Sequence, residues 1–120
     1  MEKYKLGEME QRFADLIWEH TPIKTRDLIT LCVQEFSWKR TTTYTMLKRL
    51  CERGIFRNDN GTVIVLMGKE DFLAEKGEAF LAESFEGSLP RFLTAFTRRK
   101  KLSEQEIEEI QKLIDKHKEG

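Results

Sequence analysis

The clearest hydrophobic repeat of the chain lies between Trp38 and Gly54. Apolar or small residues recur there at the i, i+3, i+4, i+7 spacing, at Thr43, Met46, Leu47 and Leu50. This spacing places them on one face of an α-helix. Gly54 follows the last of them, and glycine commonly ends a helix because it accepts a positive φ. The pattern predicts an amphipathic helix with one buried face and a defined C-terminal end.

The opposite face of this helix carries hydroxyl and basic groups. Its residues are Thr41, Thr42, Thr45, Lys48, Arg49 and Glu52. Threonine hydroxyls bind base edges, threonine methyls pack on thymine methyls, and lysine or arginine binds guanine or phosphate. The face therefore fits the major groove of DNA. A solvated surface has the same composition, so on this stretch alone both interpretations stay open.

Two shorter helical patterns precede this helix. The first runs from Glu8 to His20, with Met9, Phe13, Leu16 and Ile17 on one face. It ends before Pro22, because proline disfavours the α region in the residue before it. The second is predicted from an N-cap at Thr25 to about Glu35. Two short helices followed by a third predict a helix-turn-helix whose last helix reads DNA.

A β-hairpin is predicted after the third helix. Strand-forming residues flank Asn60-Gly61, a dipeptide typical of a type I′ turn. The hairpin makes the unit a winged helix-turn-helix, and we expect Arg57 and Asn58 on the wing to orient the protein against the DNA backbone. A plain sheet edge that covers the core is the alternative.

The last third of the chain is predicted to form three helices, of which the third opens with a capping box at Ser103 and Glu106. Their apolar positions include Phe80, Phe92, Leu93, Phe96, Ile107, Ile110 and Ile114. Short helices bury such stripes incompletely against one another, so we expect these residues to form a homodimer interface. An intramolecular three-helix core is the alternative.

Together the patterns predict a mainly α fold with two domains. Residues 1–68 would form an α+β winged helix-turn-helix that binds DNA, and residues 69–120 a helical dimerisation domain.

The distribution of charge along the chain favours binding to nucleic acid more than the net charge does. The chain has 21 basic and 21 acidic residues, and therefore no net charge. Between Ser37 and Arg57, however, Glu52 is the only acid among six basic residues: Lys39, Arg40, Lys48, Arg49, Arg53 and Arg57. The positive charge is thus concentrated on the predicted third helix and the start of the wing.

Several classes of function find no support in the sequence. No apolar run has the length of a membrane span, and the N-terminus has no signal-peptide core, so a cytoplasmic protein without a membrane partner is expected. Cys32 and Cys51 form no CxxC or CxC motif and are interpreted as packing residues. We expect no metal, no cofactor and, without a catalytic constellation, no enzyme activity.

The motifs resemble those of the BlaI/MecI penicillinase-repressor family over nearly the whole chain. One is the pattern T-x-x-T-x-L-x-R-L-x-x-[KR]-G, at Thr42, Thr45, Leu47, Arg49, Leu50, Arg53 and Gly54. The other is L-[ST]-x-x-E-[IL], at Leu102, Ser103, Glu106 and Ile107.

The resemblance implies a dimeric transcriptional repressor that binds an inverted repeat in double-stranded DNA. By motif position, Thr41, Thr42 and Thr45 would read bases. The residues that would flank them at phosphates are Lys39, Arg40, Lys48 and Arg49.

The resemblance also implies regulation by proteolysis under a membrane sensor. The cleaved bond would align with Ala95-Phe96, and Ala95 stands where the best-studied members have asparagine. The rival interpretation is a winged-helix module that binds another protein, because the wing is weakly basic, with Arg57 opposed by Asp59.

Overall fold

The computed structural model describes residues 6–120, which form six α-helices and one three-stranded sheet. The helices are α1 (Glu8–His20), α2 (Thr25–Phe36), α3 (Arg40–Glu52), α4 (Lys69–Ser84), α5 (Leu89–Arg99) and α6 (Glu104–Glu119). The strands are β1 (Ile23–Lys24), β2 (Phe56–Asp59) and β3 (Thr62–Val65), in the antiparallel order β1-β3-β2. The predicted mainly α, winged-helix class is confirmed. Residues 1–5, which open the predicted first domain, lie outside the described residues.

The contacts within the chain divide it into two compact units. The first ends at Ala79, and the second is Phe80–Gly120. The division falls inside α4, whereas the predicted domain boundary falls just before that helix, after Gly68. The domain boundary at Gly68 stays a prediction.

The core of the first unit is built from the predicted apolar faces. It contains Phe13, Ala14, Leu16, Ile17, Ile23, Leu28, Cys32, Leu47, Leu50, Ile55, Phe56, Val63 and Phe72. Thr43 is buried with them, and its burial agrees with its predicted place on the inner face of α3. Removal of these side chains from water is the main favourable contribution to folding.

Trp18, whose surroundings the sequence left open, joins three parts of the first unit. Its indole Nε1 donates a hydrogen bond to the Met67 carbonyl oxygen at 3.0 Å. The indole centroid lies 5.4 Å from that of Phe56 and 5.6 Å from that of Phe72. Trp18 therefore packs α1 against β2 and the first turn of α4.

The prediction that Thr25 is the N-cap of α2 is wrong. The cap position is Lys24, which has extended dihedral angles and belongs to β1. The Thr25 backbone N–H donates to the Gly61 carbonyl oxygen at 2.9 Å, and the Thr25 hydroxyl lies 3.4 Å from the same oxygen. Thr25 thus binds the hairpin loop next to the pairing of β1 with β3. A strand of two residues is too short to produce a periodic pattern, so the sequence did not reveal it.

The C-terminal end of α3 is confirmed. Gly54 has a φ of 79° and donates its N–H to the Cys51 carbonyl at 3.0 Å, while the Ile55 N–H donates to the Leu50 carbonyl at 3.2 Å. This pair of bonds is a Schellman motif, which satisfies carbonyls left free at the end of a helix. The next residues are buried in the core, so the turn leads α3 directly into the sheet.

The predicted hairpin and its turn are also confirmed. β2 pairs with β3 with Asp59 opposite Thr62, which leaves two residues in the loop. Both loop residues have positive φ, 51° at Asn60 and 87° at Gly61, as a type I′ turn requires. The Gly61 N–H also donates to Asn58 Oδ1 at 3.0 Å.

Two helices of the second unit begin with a serine cap, of which only the one at Ser103 was predicted. The Ser103 hydroxyl accepts from the Glu106 N–H at 3.0 Å, and Glu106 Oε1 accepts from the Ser103 N–H at 3.2 Å. The capping box is therefore confirmed. α5 begins in a similar way, because the Ser88 hydroxyl accepts from the Arg91 N–H at 3.1 Å.

We predict opposite effects on stability from alanine at two glycines of the first unit. A Cβ at Gly54 or at Gly77 would meet no atom within 4 Å, but only Gly54 has a positive φ. Gly54→Ala should lower the free energy of unfolding by about 1 kcal/mol, because alanine is strained in the left-handed region. Gly77→Ala, inside α4, should raise it by about 0.5–1 kcal/mol. Urea unfolding followed by tryptophan fluorescence measures both, and effects of the same sign would contradict the assigned role of Gly54.

Candidate nucleic-acid interface

α3 buries one face and presents the other to solvent. The buried positions are Thr43, Leu47 and Leu50. The exposed positions on the outer surface are Thr41, Thr45, Lys48, Arg49 and Glu52, with Thr42 half-buried at its edge. Every predicted α3 site residue therefore lies outside the core, and the packing of the inner face determines the direction in which the hydroxyl and basic groups point.

The three threonines and Arg49 line one side of this surface. Thr41, Thr42, Thr45, Met46 and Arg49 surround a shallow depression of about 260 Å³. Arg49 Nη1 lies 3.7 Å from Met46 Sδ, so the guanidinium group rests beside the threonines. Hydroxyl groups and a cation are thus within reach of the same bound molecule.

The N-terminal end of α3 is electropositive. Lys39 is the N-cap residue, and its carbonyl accepts from the N–H groups of Thr42 at 3.0 Å and Thr43 at 3.2 Å. The first turn contains no acidic side chain, whereas Lys39 and Arg40 are both exposed. The partial positive charge of the helix terminus adds to these two cations, and this combination attracts phosphate.

The predicted wing residues lie beside α3. A hollow of about 490 Å³ separates the helix from β2, and its lining residues are Tyr44, Leu47, Lys48, Cys51, Arg57 and Asn58. The Asn58 side-chain oxygen is occupied by the hydrogen bond from Gly61, so its Nδ2 group remains to donate outward. The structure thus brings Arg57 and Asn58 next to Lys48.

Tyr44 is a residue of this surface that sequence reasoning missed. Its side chain is 40% exposed, and the Arg40 guanidinium carbon lies 5.5 Å from the centre of its ring. The sequence feature that could have identified Tyr44 is its place as an aromatic residue one position outside the apolar face of an amphipathic helix. An exposed aromatic ring among cations is typical of binding surfaces.

One cation of the basic stretch serves another purpose. Arg53 Nη2 lies 3.7 Å from Glu10 Oε2, and both side chains are largely buried, so this charge joins α3 to α1. The exposed cations around the surface are Lys39, Arg40, Lys48, Arg49 and Arg57. Glu52 and Asp59 are the exposed acids at its C-terminal end and on the wing. The surface is therefore positive, but less so than the sequence suggests.

Comparison with known proteins identifies the family. A family model described as "Penicillinase repressor" matches residues 6–116. The chain belongs to the penicillinase repressor family. The members of this family are transcriptional repressors and not enzymes. The resemblance seen in the threonine-rich motif of α3 and in the capping box of α6 is thereby confirmed.

Curated relatives agree with this assignment along nearly their full length. The chain is 27% identical over 118 residues to the penicillinase repressor of Bacillus licheniformis, covering 95% of this chain and 92% of the relative. It is 21% identical over 117 residues to the methicillin resistance regulatory protein MecI of Staphylococcus aureus strain Mu50, with coverages of 94% and 95%. The MecI protein of Mammaliicoccus sciuri is 20% identical over the same length.

The second unit of this penicillinase repressor family member exposes a large apolar surface. α5 and α6 contain no buried residue. Of the predicted interface residues, Phe80, Phe96, Ile107 and Ile114 are exposed by 49%, 38%, 52% and 48%, and Phe92, Leu93 and Ile110 are half-buried. These helices therefore do not close the intramolecular core that was the alternative.

Aromatic contacts organise part of this apolar surface. The Phe92 ring centroid lies 5.9 Å from that of Phe80, 5.4 Å from that of Phe85 and 5.8 Å from that of Phe96. Phe85, which sequence reasoning missed, lies in the turn after α4, where no helical repeat marks it. The predicted cleavage bond, Ala95-Phe96, lies within α5, and its cleavage stays a prediction.

The two cysteines are poorly suited to redox chemistry. Burial raises the pKa of the Cys32 thiol, and partial burial raises the pKa of the Cys51 thiol. A raised pKa lowers the fraction of reactive thiolate at neutral pH. In the described part of the chain no three metal-binding side chains come together, and no helix there is both long and apolar enough to span a membrane.

We predict slow alkylation of both thiols. At pH 7.5, N-ethylmaleimide should modify Cys51 more slowly than an exposed cysteine in a short peptide, and Cys32, which has no exposed surface, more slowly still. Both rates should rise as pH passes through and above the ordinary pKa of a thiol, because the thiolate is the form that reacts. The raised pKa of each thiol shifts thiolate formation to higher pH. Mass spectrometry of the peptides measures each rate, and a Cys51 rate equal to that of the peptide would contradict the burial effect.

Proposed function

We propose that this chain is a homodimeric repressor that binds a palindromic operator in double-stranded DNA through α3. The observation that carries the proposal is the continuous outer surface of hydroxyl and basic groups on α3 and the adjoining wing. Membership of a repressor family supports it independently.

Each group has a role in this proposal. Thr41, Thr42 and Thr45 contact base edges in the major groove, where short hydroxyl side chains reach donors, acceptors and thymine methyls. The groups that bind phosphates beside the groove are Lys39, Arg40, Lys48 and Arg49. Arg57 and Asn58 on the wing contact the DNA backbone and orient the domain.

The proposed dimer follows from the apolar surface of the second unit. Exposed Phe80, Phe96, Ile107 and Ile114 are costly in a monomer, and a second copy with twofold symmetry covers the same surface on both chains. Two α3 helices related by such an axis match half-sites separated by about 34 Å or a multiple of it. A bound dimer then represses by excluding RNA polymerase from the promoter.

The relatives indicate which genes such a repressor would control. They are named a penicillinase repressor and regulatory proteins of methicillin resistance. We infer that the operator of this chain also controls genes of antibiotic resistance.

A protein-docking winged helix is the second candidate. The zero net charge and the acidic groups Glu52 and Asp59 at the edge of the basic surface favour it. The two candidates differ in salt dependence, because only DNA binding releases counterions from phosphates.

Selection of bound duplexes from a random library, followed by a salt titration, tests the proposed function. A palindromic consensus is expected, with an association constant that falls steeply as salt concentration rises. No enrichment, or binding that is indifferent to salt, would contradict DNA binding and favour the docking module.

We predict that loss of a threonine hydroxyl from α3 relaxes base preference. In Thr42→Val and in Thr45→Val, discrimination at one base position should fall by about 1–3 kcal/mol, since valine keeps the shape but not the hydrogen bond. Repeating the duplex selection with each variant measures this change. Thr30→Val is the control, because this exposed threonine lies on α2 and its hydroxyl donates to the Arg26 carbonyl at 3.2 Å.

Arg49→Ala provides the contrast within the same experiment. It should weaken binding to all sequences and reduce the slope of log K against log salt by about 0.9, the value for one phosphate contact. Lys116→Ala, an exposed cation on α6, should leave the slope unchanged. Unaltered base preference in both threonine variants would refute major-groove reading by α3.

We predict that a charge in the apolar surface of α6 separates the dimer. Ile114→Asp should raise the dimer dissociation constant by about a hundredfold, because the interface would bury a carboxylate. Val33→Asp is the matched control, since Val33 is 51% exposed on α2 and Ile114 is 48% exposed. Sedimentation equilibrium measures both, and an Ile114→Asp dimer as stable as the wild type would place the interface elsewhere.

A further inference from the structure

The hollow between α3 and β2 combines two kinds of surface. Tyr44, Leu47 and Cys51 supply aromatic, aliphatic and thiol groups from α3. Lys48, Arg57 and Asn58 supply two cations and an amide. None of the six lining residues is acidic. The lining of this hollow, whose volume is about 490 Å³, suits a molecule with an apolar part and negative charge.

The hollow is continuous with the outer surface of α3. Lys48 lines it and also lies one turn from Thr45, which lines the depression on the other side of the helix. A duplex that receives α3 in its major groove has a strand of sugar and phosphate along each edge of that groove. On the wing side of α3, we expect one strand to cross this hollow.

Tyr44 is held in a position to contact that strand. Its ring is 40% exposed, and the Arg40 guanidinium carbon lies 5.5 Å from the ring centre. The contact with Arg40 restricts the ring while one side remains open. Deoxyribose presents C–H groups that pack on an aromatic face, and the adjoining phosphate presents oxygens to basic and amide donors.

We propose that this hollow holds the backbone of one DNA strand, with a deoxyribose packed on Tyr44 above Cys51 and its phosphate bound by Lys48, Arg57 and Asn58. This inference rests on the proposed DNA binding and adds Tyr44 and Cys51 to the residues that the proposed function assigns to DNA contacts. Tyr44 then contributes affinity without reading bases, in contrast to the threonines.

Cys51 serves as a natural reporter of this contact. It is half-buried in the hollow, whereas Cys32 is fully buried in the core. Modification by N-ethylmaleimide is followed peptide by peptide at pH 8, with and without saturating duplex of the selected sequence. The duplex should slow Cys51 modification at least about tenfold, in proportion to the fraction of protein bound. Cys51→Ser, which removes the reacting thiol, assigns the signal.

Substitution of Tyr44 gives a second, independent readout. Tyr44→Ala should weaken binding by about fivefold to tenfold on every duplex, from the lost apolar contact. It removes no charge, so the salt slope should stay at the wild-type value, whereas Lys48→Ala should lower it by about 0.9. Tyr44→Phe keeps the ring and should bind as wild type. Val33→Ala, another exposed apolar residue, is the control for truncation away from the hollow.

The outcomes separate this inference from the function on which it rests. A wild-type protein that binds no duplex would refute both. Normal binding with unprotected Cys51 and unweakened Tyr44→Ala would refute only the path of the strand. An altered consensus in Tyr44→Ala would show that the ring reads bases and would overturn the backbone role. Slowing of Cys51 modification by benzoate and not by duplex would assign the hollow to a small-molecule effector instead.

Discussion

The burial of one face of α3 is the constraint on which the candidate site depends. Thr43, Leu47 and Leu50 are packed into the core of the first unit, so the helix has a single orientation about its own axis. The hydroxyl and basic side chains, which lie between these positions in sequence, are directed outward as a result. A rotation that pointed them elsewhere would expose the apolar residues to water, at a cost of about 1.5–3 kcal/mol for each large side chain. Core packing thus orients the candidate binding surface.

The position of the wing depends on different interactions. The Schellman motif at Gly54 turns the chain from α3 into β2, and the Thr25 N–H fixes the hairpin loop through the Gly61 carbonyl at 2.9 Å. The hydrogen bond from Trp18 to Met67 attaches the segment after β3 to α1. These connections hold Arg57 and Asn58 beside Lys48. A rigid scaffold around an open hollow suits a surface that receives a long, charged ligand.

The electrostatics of the interface are local. Opposite charges cancel over the whole chain, yet five exposed cations gather around α3 and β2. Because Arg53 is paired with Glu10, the positive field of this surface is moderate. A moderate field fits the proposed DNA binding if the affinity depends on hydrogen bonds and shape as well as on charge. The second unit has a different chemistry, because its exposed phenylalanines and isoleucines favour association with another apolar surface.

The sequence by itself determined the helices, the hairpin with its type I′ turn, the ends at Gly54 and Ser103 and the division of α3 into two faces. These features depend on interactions within a few residues, and local periodicity and capping reveal them. It did not reveal β1, the hydrogen bond of Thr25 to Gly61, the pairing of Arg53 with Glu10 or the place of Tyr44 beside the wing. Each of these features brings together residues that are distant in the chain. Local sequence patterns carry no information about such contacts, so only the tertiary structure decided them.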